Sequence, residues 1–133
     1  MDHTKTMNMN EINNSLNWFE IPVLNFERAR KFYSAIYEFD MPAIQMGDAQ
    51  LGLFPVQQGH IGGAIIKMDS HKPSPDGSLI YLNGGEDLNV VWDRIESSGG
   101  KVITEKTPIS PEHGFYAKFR DTEGNTVALH SMK

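Results

Sequence analysis

Hydrophobic and polar positions alternate in "LNWFEIPV", residues 16–23, so that Phe19, Ile21 and Val23 share one face and Trp18, Glu20 and Pro22 the other. That period of two predicts a strand covered on one side. Pro22 has no N–H to donate, which predicts pairing on one side only. The spacing then changes. In "NFERARKFYSAIYEF" the residues Phe26, Ala29, Phe32, Tyr33, Ile36 and Tyr37 recur at helical intervals behind Asn25, a good N-cap, and the helix should stop near Phe39, before Pro42. Residues 44–56 and 61–68 read as two strands joined by "QQGH", and the Pro- and Gly-bearing stretch 69–77 as a long connection.

The same order then returns. "SLIYLNG" reads as a strand, and "GEDLNVVWDRIESSGG" as a helix with Asp87 as N-cap and Leu88, Val91, Trp92 and Ile95 as its apolar stripe. Gly99 and Gly100 supply its stop. "KVITEK", "GFYAKFRD" and "NTVALHS" follow as three strands. A strand, a helix and a run of strands, twice over, is a duplicated module, too long for a solenoid repeat. The expected fold is α+β: two βαβββ modules, about 16–68 and 78–131, forming curved mixed sheets around a cleft with helices outside, in one domain over 16–133.

Size and charge narrow the partners. A chain of 133 residues can bury a real core, and 22% charged residues is ordinary for a globular protein. A net charge of −5 with scattered Lys and Arg predicts no nucleic-acid partner. No apolar run is long enough to cross a membrane. The polar, Asn-rich residues 1–15 read as a loose tail or an arm laid on a partner, not as a secretory signal. Zero cysteines exclude disulfides, thiolate metal ligands and a Cys nucleophile, and fit a cytoplasmic location.

Candidate chemistry depends on strand faces. With Phe19, Ile21 and Val23 under a helix, Trp18 and Glu20 point into the cleft; with Val127 and Leu129 under the second helix, Thr126, Ala128 and His130 do the same. A register error of one residue would reverse both assignments. Glu20 and His130 are therefore the candidate acid–base pair, expected to share one cavity, and Trp18, Glu20, Ala128 and His130 the candidate ligand cleft. A mid-strand carboxylate among Trp18, Phe19 and Ile21 is costly to bury unless paired, and a solvated strand face accounts for Glu20 equally well. His130 reads equally as a half-exposed strand end. His60 and His113 look like loop residues, and His3 and His71 like exposed ones. Glu20, His60 and His130 could in principle form a two-His-one-carboxylate metal set. Gly62 and Gly63 lack a phosphate-loop context and read as a site of close backbone packing.

Together "FEIPVLNFERARKFYSAIYEF", "VVWDRIESSGGKV" and "FRDTEGNTVALHS" resemble the glyoxalase / bleomycin-resistance / extradiol dioxygenase superfamily, the vicinal oxygen chelate proteins, over residues 16–131. The resemblance implies the paired βαβββ fold and, commonly, a homodimer. It also implies metal ligands, but the family's ligand spacing lands on Trp18, on Ala128, near Ser78 to Ile80 and among Gly63 to Ile66. None of these carries an imidazole or carboxylate. The expectation is thus a protein that binds a small organic molecule in its cleft with no metal or other cofactor. The alternative is a glyoxalase-type lyase, isomerase or dioxygenase with a relocated Zn, Ni, Fe or Mn. A third class is an interaction module with an unused cleft.

Overall fold

A computed structural model describes residues 13–133. The expected tail lies outside the described residues up to residue 12, as does His3. Ten elements follow in order: β1 (Trp18–Pro22), α1 (Phe26–Tyr37), β2 (Ala43–Met46), β3 (Ala49–Leu53), β4 (Gly62–Lys67), β5 (Tyr81–Asn83), α2 (Asn89–Trp92), β6 (Lys101–Ser110), β7 (Gly114–Arg120) and β8 (Thr126–Ser131). They build two four-stranded mixed sheets of identical topology, β1-β4-β3-β2 and β5-β8-β7-β6. In each, the first strand runs parallel to the last and the other pairs are antiparallel. This is the βαβββ duplication of an α+β fold. β1 is an edge strand, so Pro22 leaves no ladder bond unmade on its open side.

Three segments depart from the pattern read along the chain. The single strand over 44–56 is a hairpin: Met46 pairs with Ala49 around Gly47–Asp48. Gly47 sits at φ +59, which a two-residue hairpin with glycine first requires. The helix expected from Asp87 to the glycines is α-helical only over Asn89–Trp92; Leu88 precedes it without a side-chain bond, while the Asp87 carboxylate accepts from Asn89 N at 3.0 Å. Beyond it the bonds tighten to three-residue turns (Arg94 to Val91, Ile95 to Trp92, Gly99 to Glu96), and Ser97 Oγ donates to the Arg94 carbonyl. The apolar stripe survives this winding, with Leu88, Val91 and Ile95 all buried. β6 runs to Ser110, further than "KVITEK", with register shifts along its pairing with β7 and Pro108 on its open edge.

α1 forms where expected. The Asn25 side chain accepts from Arg28 N, and Glu38 ends the helix in the left-handed region at φ +50 while Phe39 N reaches the Ser34 carbonyl. The helix packs on both sheets. Tyr33 lies edge-on to Phe54 after β3 at 5.2 Å, and Phe32 lies 5.9 Å from Phe119 of β7. Ile21, Val23 and Ile65 of the first sheet and Ala117, Phe119, Val127 and Leu129 of the second join the two helices in one continuous core. A second, smaller cluster of Ala49, Leu51, Ala64 and Ile66, backed by Leu53 and Met68, covers the helix-free side of the first sheet.

Candidate functional site

The turn after β7, "DTEGN", clamps the modules together. The Glu123 side chain is fully buried and accepts from the backbone N–H groups of Leu24 and Asn25 at 3.0 and 2.8 Å, where the chain leaves β1 for α1. Arg28 forks onto the same carboxylate through Nε at 2.7 Å and Nη2 at 3.0 Å. Burial pushes the Glu123 carboxyl up, but the bonds from Arg28, Asn25, Thr122 and Leu24 outweigh it and hold the group below its ordinary value. Asp121 takes the Tyr33 hydroxyl at 2.8 Å and Asn125 donates to the Pro22 carbonyl at 2.7 Å. Burial, then the Asp121 charge, raises the Tyr33 phenol far above its usual range. These acids hold the fold together. From the residues alone the turn reads only as a setter of strand register; the available signal was Arg28 one turn inside a helix start, facing an acidic hairpin.

Duplication gives this clamp a counterpart. The connection after β3 stands to the β5–α2 junction as the "DTEGN" turn stands to the β1–α1 junction. Phe54 meets Tyr33 there as Asp121 does on the other side. No acidic residue occurs over 54–61, and the corresponding space is an open cavity of about 1320 Å³ lined by Phe19, Tyr37, Phe54, Leu82 and Val91 among others. His60 is on its wall. Tyr37 closes one side by donating to the Asn83 carbonyl at 2.8 Å, and burial raises its phenol pKa.

The candidate residues stand on the helix-free faces. On the first sheet, Trp18 Nε1 donates to Glu20 Oε2 at 3.3 Å, and both side chains are exposed beside the small residues Gly62 and Ala64 of β4. On the second, Ala128 is fully buried between Tyr81 of β5 and Lys118 of β7. His130 pairs across from Tyr116, and its Nε2 lies 2.6 Å from the His113 carbonyl. A carbonyl only accepts, so Nε2 carries the proton and the ring is tied to the β6–β7 turn. Because the helix-covered sides share one core, these two faces lie on opposite sides of it within one chain. No hydrogen bond among the described residues joins Glu20 to His130, and neither lines the inter-module cavity. The single shared cavity expected for them is not formed by one chain. Nor do three His, Asp or Glu side chains come together among the described residues, so Glu20, His60 and His130 are not assembled into a metal set. His113 lies in the β6–β7 turn, its Nδ1 2.8 Å from Ser110 Oγ; His71 Nδ1 meets Ser70 Oγ at 3.0 Å. No described helix is long and apolar enough to cross a membrane.

Comparison with known proteins agrees with this architecture. The model of the Glyoxalase/Bleomycin resistance protein/Dioxygenase superfamily matches residues 15–129. A "Glyoxylase-like domain-containing protein" of Didymella fabae is 29% identical over 128 residues, covering 89% of this chain and 94% of that protein. Among solved structures, a glyoxalase/bleomycin resistance protein from Albidiferax ferrireducens superposes with a TM-score of 0.66 at 14% identity, covering 87% of this chain and 97% of that one. A glyoxalase I mutant from Zea mays gives 0.66 at 14% identity over 88% of this chain, which corresponds to 44% of that longer one. At such identities the structures speak for the fold.

Proposed function

The chain belongs to the Glyoxalase/Bleomycin resistance protein/Dioxygenase superfamily, and from that premise we propose that it binds a small organic molecule on the helix-free faces of its sheets without the family's usual metal. The observation that carries this reading is the pair of open faces. Trp18, Ile44 and Met46 on one, and Tyr81 on the other, leave large apolar side chains 41–61% exposed. Exposed apolar surface of this kind marks a site of association. Beneath it lies the floor of Leu51, Ala64 and Ile66.

In this reading the protein is a homodimer. A two-fold axis would set the Trp18–Glu20 face of one protomer against the Ala128–His130 face of its partner, which covers both surfaces and encloses the ligand cleft that one chain leaves open. The positions where the family's ligands are expected do not suit a divalent ion: the indole of Trp18, the methyl group of Ala128 and the apolar stretch Gly63–Ile66 offer no donor. Trp18 would stack on a flat ligand, with Glu20 held beside it by the indole N–H. Glu20 and His130 are the groups available for proton transfer if the bound molecule is also transformed. A cysteine-free chain suits the cytoplasm, where we place it.

The test is a thermal-shift screen of small aromatic and aliphatic compounds against protein stripped with chelator and checked for residual metal, beside sedimentation at micromolar concentration. Binding that persists in the stripped protein, in a species of twice the chain mass, is the expected result. A stoichiometric Zn, Ni, Fe or Mn that must be restored before any compound binds would favour the metal-dependent enzyme instead. A 14.9 kDa species that binds nothing would leave only an interaction module.

A further inference from the structure

The helix-free face of the second sheet carries positive charge that no acid among the described residues neutralises. Lys118 and Arg120 alternate with the buried Ala117 and Phe119 on β7, so both project from the helix-free side. Across the ladder stand Ala128 and Thr126. Both cations are half-buried. The buried Nε of Arg120 has no hydrogen-bond partner among the described residues, and its Nη2 reaches only Thr126 Oγ1, at 3.4 Å. Arg28, Arg30 and Arg94 each sit on a carboxylate. Among the described residues Lys118 and Arg120 have none, and Lys118 Nζ instead lies 5.8 Å from the Tyr116 ring centre. The strands β5, β7 and β8 contain no acidic residue at all. A guanidinium this poorly supplied with acceptors is unfavourable, and an anion meeting its half-exposed terminal nitrogens would give it one.

We propose that this face receives the anionic end of an organic acid: Arg120 and Lys118, which project from the same side of β7, hold a carboxylate or similar oxyanion between them. The inference rests on the cleft-binding reading and names the class of molecule bound there. The uncharged body would extend toward the apolar floor and Trp18 of the partner's first sheet, so an acid with a flat apolar body fits both halves. Arg120 is then the specificity-determining residue, since its planar fork matches an oxyanion and a lysine does not.

Naphthalene-2-carboxylate and the neutral naphthalene-2-carboxamide, titrated into the full-length protein by calorimetry and ¹H–¹⁵N spectroscopy, separate the possibilities. The expected result is that the carboxylate binds ~10-fold or more tightly than the amide, the size of one charge-assisted contact, and moves the Arg120 Nε–Hε resonance saturably. Arg120→Gln and Lys118→Gln should each shrink that preference, and Arg120→Lys should restore part of it. The wild-type comparison of acid with amide stands even if a variant folds poorly. Equal affinity for acid and amide, unchanged in Arg120→Gln, would overturn the anion site and leave the cleft reading intact. Failure of both probes to bind would count against the cleft itself and remove this inference with it.

Discussion

Replacing Glu123 by alanine should unlock the two modules. The fully buried carboxylate answers two backbone N–H groups and both arms of Arg28. Cutting a buried ion pair on one side costs about 3–5 kcal/mol when the remaining charge stays buried. Here the Arg28 side chain is 50% exposed and can turn to water, so the loss is smaller. The remaining loss is the pair of orphaned amides at Leu24 and Asn25, residues near the surface, at about 1–2 kcal/mol for each, the lower part of the range for an unsatisfied donor. A total of about 2–4 kcal/mol follows, a large share of the roughly 5–15 kcal/mol that holds such a domain folded. In urea at pH 7 the midpoint should fall with an unchanged slope, and Tm should drop by about 10 °C at roughly 3–5 °C per kcal/mol. Glu123→Gln, which keeps an acceptor oxygen, should lose less. The folded-state pKa of Glu123 is below its ordinary value of 4.5, so its contribution is present above that value and lost as pH falls through the lower, folded one. The gap between wild type and Glu123→Gln must therefore close with acid. A loss under about 0.5 kcal/mol for Glu123→Ala, or a gap to Glu123→Gln that persists undiminished in acid, would refute the clamp.

Tyr33→Phe strands the buried Asp121 oxygen that the hydroxyl donates to, although Asn125 still reaches it, and should cost about 1–2 kcal/mol in the same urea assay. Glu38→Gly relieves the one described non-glycine residue in the left-handed region and should raise Tm by a few degrees, the exposed bond to Arg94 being a minor loss. Gly114→Ala, at φ +75 with the new Cβ driven into the Ser131 carbonyl, should destabilise by about 2 kcal/mol or more, measurable by calorimetry. Met46→Glu, on the most exposed apolar side chain of the first sheet's open face, should weaken dimerisation in sedimentation without lowering the stability of the monomer.

The fold was legible where one physical signal dominated. The alternation over Phe19, Ile21 and Val23, the stripe from Phe26 to Ile36, and the pairing of Val127 with Leu129 each report a side buried against a helix, and burial is what period records. It was less legible where one residue overrode the pattern. Gly47 turned a stretch that reads as one strand into a hairpin through its backbone conformation, and the second helix tightened into three-residue turns while leaving the stripe Leu88, Val91 and Ile95 in place. The candidate site shows the limit more clearly. Strand alternation assigns Trp18, Glu20, Ala128 and His130 to the faces without a helix, but says nothing about which faces oppose each other. That depends on α1 packing against both sheets, through Phe32 on Phe119 and Tyr33 on Phe54, a choice set by long-range shape. The clamp built by Glu123 was hidden for a related reason, since a turn acid reads as solvated until its partners, 95 to 99 residues away, are known.

The most direct test of the account is a ¹H–¹⁵N titration of chelator-stripped, metal-free protein with compounds that pass the thermal-shift screen. Two indole resonances, Trp18 on the open face and Trp92 in the second helix, make the readout internal. The account predicts saturable shifts at the Trp18 indole and at the amides of Ala128 and His130, with Trp92 unmoved. Shifts confined to the inter-module cavity around Phe54 and Leu82, or shifts that appear only after a divalent metal is restored, would contradict it.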